Sequence, residues 1–523
     1  MTAVLFGEPF DTGLATAERL LEAADLVAAQ QVYEQLLAAT EASFLRAYLL
    51  TNIGMTQLER ADLAGSAASH DEAIALLRAI ASADLDPIER QLCLDVLLKA
   101  LIGQGDLRRK SGDLAAALAS LDEAGTLLPG FDGDGTRAAE LGNTRAMVLM
   151  SRGDWGAAEE IAALTLSTTD SRVNTVPYLL TTLGLICGST GRFDDAEDYL
   201  AQAGDLLGDE QPQLIAHRGF VAMRRGDFAV AEELYTEAAA IFERRRRPGD
   251  LAVCEQARGL LAARRGDPAL AADLMSSSLA EFERHGLAVA AADTALLLSQ
   301  QAYGRGDIAE MARLSEQARA VYESRGLYER CAQTDFLTAA SIEEGLTRSA
   351  YGEHEAAAVD SALALAIPAA LALEAMRCDF ASGHARRQWL ALAEEAVRLA
   401  FRLAVRRGDP GLLFELVEFR CAGVPLDRAA GEIGASAAPP DGAVKLLPDN
   451  GTAATTLSAT TLSETALSGA VADVAVSEGL RVAPPPQVLM SPDSGRVALR
   501  EYLDAARQRY RRRIVSEETV ASW

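Results

Sequence analysis

The residues best able to do chemistry in this 523-residue chain are a few histidines and thiols. His285-Gly286, with a later cysteine such as Cys421, has the residue types of a nucleophilic thiol and its imidazole base. That chemistry needs both side chains within hydrogen-bond reach and a third group to orient the base. A plainer role is open to His285. Phe282-Glu283-Arg284-His285-Gly286-Leu287 repeats as Tyr322-Glu323-Ser324-Arg325-Gly326-Leu327, so His285 stands where Arg325 stands later, at a helix end. His70, His217, His354 and His384 share no metal-ligand spacing with cysteines or carboxylates. Cys93, Cys187, Cys254, Cys331, Cys378 and Cys421 are scattered singly, without a CxxC pair. This pattern is neither a zinc site nor a disulfide framework and fits small buried thiols in a reducing compartment. Phosphate-binding glycine loops and a GxSxG elbow are missing. The expectation is a chain with no catalytic residues, no metal and no cofactor. The run Arg244 to Arg247 ends a helix before Pro248-Gly249, where cations complement the helix dipole and face water. A phosphopeptide contact is the alternative role for that run.

The elements that would carry these residues are set by a repeat. A Gly-Asp pair recurs at Gly112-Asp113, Gly153-Asp154, Gly226-Asp227, Gly266-Asp267 and Gly306-Asp307, and Gly191-Arg192-Phe193-Asp194 fills the gap. Between Gly112, Gly153, Gly191, Gly226, Gly266 and Gly306 the spacings are 41, 38, 35, 40 and 40. Glycine takes the left-handed conformation that ends one helix, and aspartate accepts from the free N–H groups that start the next. Each pair therefore predicts the tight turn of a helical hairpin. Two residues after the glycine stand Leu114, Trp155, Phe193, Phe228 and Ile308, read as apolar anchors. Five after it stand Ala117, Ala158, Ala196, Ala231 and Ala271, and twelve after it Ala124, Ala203, Ala238 and Ala318. Gly184, Gly219 and Gly259 lie seven before it. Small residues at these offsets let paired helices approach closely. Hints of two degenerate repeats occur near Ala24-Asp25 and Gly54.

Composition agrees with an all-α chain. The hydrophobic fraction is 49% but aromatics are only 5%, and Ala and Leu dominate. A formal net charge of −26 argues against nucleic acid and against anionic membranes as partners. The N-terminal residues show no signal-peptide pattern, and the apolar run Ala362 to Leu373, interrupted by Pro368, is too short to span a bilayer. A cytoplasmic location is expected.

The stretch Gly219 to Ala238, with Gly226, Phe228, Ala231 and Tyr235, resembles the tetratricopeptide repeat family. The resemblance covers residues 105 to 330 and implies a superhelical solenoid of antiparallel helix hairpins. The period exceeds the family's 34 residues, which implies helices longer by about a turn, and Met311 replaces the small residue in one repeat. The expected organisation is degenerate N-terminal helical repeats in 1–104, the repeat array in 105–330 and diverged repeats or a cap in 331–428. A flexible Ala/Ser/Thr/Pro linker would occupy 429–490, with an Arg-rich helical tail in 491–523. Such arrays bind protein on a concave face lined by the first helix of each hairpin. The positions here are Asn143, Met147, Met150, Thr181, Leu185, Ala216, Phe220, Met223, Gln256 and Leu260. The Lys/Asn pattern that grips chaperone tails is absent from them, so a partner helix or extended segment is expected. The tail offers Arg500, Tyr502, Arg507, Arg511 and Trp523 as a second docking surface, which could fold back on the groove as an autoinhibitory segment.

The blocks Leu363 to Phe380 and Trp389 to Asp409, with the Arg-rich terminus, also resemble actinobacterial repeat proteins found with caspase-like CHAT peptidases. That resemblance implies a regulatory arm in a bacterial signalling or defence system, with a CHAT-type peptidase as a possible partner.

Overall fold

The structure, a computed structural model, describes residues 7, 10–82, 84–131, 133–208, 211–379, 383–421, 487–489, 498–515 and 519–521. Trp523, and the 429–490 linker apart from 487–489, lie outside the described residues. Two compact units divide the chain: 1–154 with 169–334, and 155–168 with 335–523.

The first unit opens with α1 (Phe10–Glu22), α2 (Leu26–Ala38), α3 (Ser43–Glu59), α4 (Leu63–Ala81), α5 (Pro87–Ser111), α6 (Leu114–Leu127) and α7 (Thr136–Arg152). After α8 (Trp155–Thr168) it continues with α9 (Val176–Ser189), α10 (Phe193–Leu207), α11 (Pro212–Arg225), α12 (Phe228–Arg244) and α13 (Pro248–Arg264). It ends with α14 (Pro268–Arg284), α15 (Ala288–Gly304), α16 (Ile308–Ser324) and the start of α17 (Tyr328–Thr347). Consecutive helices pack as hairpins: α1 with α2, α3 with α4, α5 with α6, α9 with α10, α11 with α12, α13 with α14, and α15 with α16.

The turns follow the punctuation in the sequence. All six ladder glycines have positive φ. Asp113, Asp267 and Asp307 accept from the N–H three residues on, at 3.0–3.1 Å. Ala24-Asp25 and Ala61-Asp62 are the same turn in disguise, with alanine held at φ 58 and 61 and each aspartate capping its helix. From α12 to α16 the array is strictly periodic, with helices of 17 residues starting at 228, 248, 268, 288 and 308. Each helix is therefore about 25 Å long. The turn between hairpins also needs a left-handed residue, supplied by Gly286 and Gly326 but by Arg246 at φ 52.

The small residues do what their spacing requires. Ala117, Ala196, Ala231, Ala271, Ala124, Ala203, Ala238 and Ala318 are fully buried. A side chain at Gly184, Gly219 or Gly259 would run into Leu200, Tyr235 or Met275 of the partner helix. The apolar anchors behave unevenly. Leu114 is buried, but Phe228 and Ile308 are exposed. Phe228 is covered instead by the Arg264 guanidinium, 4.8 Å from the ring centroid.

The second unit contains α8, the rest of α17, α18 (Glu355–Ala375), α19 (Gly383–Arg407), α20 (Pro410–Cys421) and α21 (Arg500–Tyr510). The Gly153-Asp154 turn thus precedes a helix that packs in this unit, against the 3-10 turn Met376–Asp379, and is not followed by a repeat hairpin of the first unit. α18 lies at the centre, packed by α19 and α21. The stretch Gly352–Cys378 is long and apolar enough to cross a membrane, yet α18 buries residues all round as a core helix does. Pro368 sits inside α18 and removes the helical donor to the Ala364 carbonyl. Arg509 Nη1 of α21 donates to that carbonyl at 3.2 Å. A short parallel pair of strands, β1 (Gln487–Leu489) and β2 (Thr519–Ala521), accompanies the helices.

Candidate functional site

The first helices of the hairpins in the first unit, together with α7, whose following helix α8 belongs to the second unit, form a closed circuit. α3 packs on α5, α5 on α7, α7 on α9, α9 on α11, α11 on α13 and α13 on α15, and α15 packs back on α5. Early turns meet late helix starts along this seam. Arg247 Nη2 lies 2.6 Å from Glu59 Oε2, and its Nε donates to Asp250 at 2.8 Å. The His285 ring links Ala61 O through Nδ1 at 3.1 Å and Glu281 through Nε2 at 2.8 Å. A Cβ at Gly112 would come within 2.7 Å of Val289 and 3.7 Å of Arg325, so the seam is close-packed there.

The seam holds a half-open cavity of about 370 Å³. Arg109, Lys110, Arg247 and Arg330 line it against Glu59, Asp250 and Asp293, with an apolar remainder that includes Leu58, Val253 and Phe282. Burial raises the pKa of Asp250, although the Arg247 and Lys110 charges oppose the shift. Arg330 donates to Asp293 at 2.7 Å, and Tyr322 Oη donates to the same carboxylate oxygen at 2.6 Å.

The ten groove positions read from the sequence lie on α7, whose following helix packs in the second unit, and on α9, α11 and α13, the first helices of their hairpins. Met147, Met150, Thr181, Leu185, Phe220, Met223, Gln256 and Leu260 are half-buried, whereas Asn143 and Ala216 are buried. Asn143 accepts from Thr182 Oγ1 at 2.8 Å, and Gln256 donates to Thr294 Oγ1 at 2.7 Å. These two side chains tie neighbouring first helices together. Thr181 donates to Pro177 O of its own helix. Phe220 and Met223 pack against the core shared by α11, α12 and α13.

Other groups on these helices were given no site role by sequence reasoning. Tyr178 is 53% exposed, yet burial by surrounding protein and the Glu59 charge raise its pKa. His217 is half-buried, and desolvation pushes its imidazole down to about 4. Arg224 donates to Ser189 O at 3.0 Å, with the Glu329 charge opposing its desolvation. The arginine run also divides. Arg244, Arg245 and Arg246 face water, but Arg247 turns into the seam. The available signal was register: Arg247 stands where Leu287 and Leu327 stand in the next repeats.

Among the described residues, no group of three or more His, Cys, Asp or Glu side chains could hold a metal ion. Cys93, Cys187, Cys254 and Cys331 are buried thiols outside any disulfide, and burial raises Cys254 to about 12.

The tail helix α21 belongs to the second unit. Its buried residues are Leu503, Ala506 and Tyr510, followed by Ile514 and Val515, while Tyr502 is half-buried. Glu415 accepts from the Ala498 and Leu499 amides at 2.9 and 2.7 Å, and Tyr510 Oη donates to buried Asp335 at 2.8 Å. Arg500 and Arg511 face water, and Arg507 makes only a loose pair with Asp504 at 3.9 Å. The arginine that docks is Arg509.

Helices paired as consecutive hairpins, glycine turns and buried alanines at the crossings decide the architecture. The fold is tetratricopeptide-like. No protein-family model and no curated protein matches the sequence. Among solved structures, a Rap protein complexed with competence and sporulation factor aligns over 71% of this chain and 99% of its own, at 11% identity and a TM-score of 0.44. Aspartyl phosphate phosphatase F from Bacillus subtilis aligns over 69% and 95%, at 14% identity and a TM-score of 0.40. A tetratricopeptide repeat protein from Parabacteroides merdae aligns over 55% and 99%, at 16% identity and a TM-score of 0.32. The fold assignment rests on this chain's own helix pairing.

Proposed function

We propose that the first unit is a non-enzymatic binding scaffold that holds a protein or peptide segment on the face formed by its first helices. The observation that carries this reading is the continuous circuit of those helices, with Met147, Met150, Leu185, Phe220 and Met223 left half-buried along it. Unbranched methionines beside an aromatic ring suit an apolar helix face or an extended segment, because methionine adapts its shape to the partner. The tail has a role inside the second unit: its helix covers α18 and supplies the donor that Pro368 removes. A docked tail of this kind favours a structural part over an autoinhibitory one. Regulation of a CHAT-type peptidase, in a bacterial signalling or defence setting, rests on the sequence resemblance alone.

The test is affinity capture from the native host with full-length protein and with a Met147→Glu, Leu185→Glu variant, scored beside circular dichroism of both. A partner retained by the parent and lost by the folded variant supports the scaffold reading. Equal retention by both, or no specific partner for either, refutes it.

A further inference from the structure

We infer that the seam cavity of the first unit is a binding site for a small amphipathic anion, an acidic head on an apolar body. The inference stands apart from the groove reading and needs no protein partner.

The lining is not acidic, although the whole chain is. Four cations, Arg109, Lys110, Arg247 and Arg330, line the cavity with three carboxylates, and Asp106 also pairs with Arg109 at 2.7 Å, in a protein whose net charge is −26. The carboxylates are already engaged: Glu59 and Asp250 by Arg247, and Asp293 by Arg330 and Tyr322. The cations have donors to spare. A guanidinium carries five N–H groups and an ammonium three. Lys110 reaches Asp106 only at 3.8 Å, outside hydrogen-bond distance, and its charge is felt across the seam by Asp250.

The backbone adds to this. The cavity is lined by the first residues of α13 and α15 and by Leu327 and Arg330 at the start of α17. The second helix of most hairpins opens with a capping aspartate, but α13 and α15 open with Arg247 and Leu287, and no side chain caps either helix. Leucine has no acceptor to offer α17 at Leu327. The first N–H groups of a helix have no partner within it, and they attract anions. Leu58, Val253 and Phe282 add an apolar part to the lining for a ligand body. The volume of about 370 Å³ falls within the size range of small-molecule sites. A ligand there would touch both sides of the seam and hold the circuit closed.

The experiment is calorimetric titration of the full-length protein with N-acetyl-leucine, with its neutral amide as control and inorganic phosphate as competitor. The expected result is one site for N-acetyl-leucine, none for the amide, and displacement by phosphate. Lys110→Met should weaken binding about tenfold, the loss of one charge-assisted contact, and Lys110→Arg should restore most of it. Leu287→Asp, which places a capping carboxylate at the α15 start, should abolish binding with the circular dichroism of the parent kept. Absence of N-acetyl-leucine binding, equal binding of acid and amide, or binding unchanged in both Lys110→Met and Leu287→Asp would overturn the inference. The Met147→Glu, Leu185→Glu variant should titrate like the parent, so failure of the groove reading and failure of this one are distinguishable.

Discussion

Arg246 is the residue whose replacement tests the repeat logic most directly. It occupies the left-handed turn position at φ 52, where the two following repeats have Gly286 and Gly326 at φ 68 and 70. An L-residue in that conformation costs roughly 1–2 kcal/mol. Glycine gives back about 0.5–1 kcal/mol of this through its larger unfolded-state entropy. Arg246→Gly should therefore stabilise the first unit by about 0.5–1 kcal/mol, read from the urea midpoint at unchanged slope. Removing a cation beside Arg244 and Arg245 could also stabilise, so Arg246→Ala is the control. Alanine relieves the charge but keeps the Cβ. Gly286→Ala supplies the reverse measurement. No atom lies within 4 Å of a Cβ built there, so its loss of about 1 kcal/mol would come from the backbone alone. If Arg246→Ala stabilises as much as Arg246→Gly, the gain is electrostatic and the assignment of Arg246 to the glycine position explains nothing.

Three further outcomes follow from the buried polar groups. Glu415→Ala removes the acceptor of the Ala498 and Leu499 amides and should cost about 1–3 kcal/mol, seen as faster proteolysis before α21 in limited trypsin digestion. Tyr510→Phe takes the Oη donor away from buried Asp335, beside which the Arg509 charge lies at 3.8 Å, and should lower the thermal midpoint with a loss of about 1–2 kcal/mol. The His217 imidazole, held near 4 in the folded state against an ordinary 6.5, is neutral at pH 7. Because the unfolded chain takes up the proton first, its contribution to stability is complete above pH 6.5 and is lost as pH falls towards 4. Imidazole titration by NMR checks this, and an inflection near 6.5 would mean that His217 is not enclosed.

Local physics made the array legible. A left-handed residue followed by a capping aspartate, repeated about every forty residues with alanines five and twelve positions on, specifies the helical turns, and all of them but Gly153-Asp154 close a hairpin of the first unit. The same rule would have found Ala24-Asp25 and Ala61-Asp62 as full turns had alanine been allowed at the left-handed position. Placement of the groove residues on first helices was legible for the same reason, since register alone assigns a residue to its helix.

Closure was decided only by the tertiary structure. Whether α15 meets α5 depends on small rotations summed over several hairpins, and no local signal encodes that sum. Glu59 and Arg247 are far apart in sequence, and only the summed curvature brings them to 2.6 Å. The seat of α8 in the second unit, the cover of α18 by α21 and the supply of an Arg509 donor to Ala364 are long-range outcomes of the same kind. The sequence by itself determined which residues turn, cap and cross, because those are short-range steric and hydrogen-bond choices. Tertiary packing determined which ends meet and what cavity they line, because that depends on accumulated geometry.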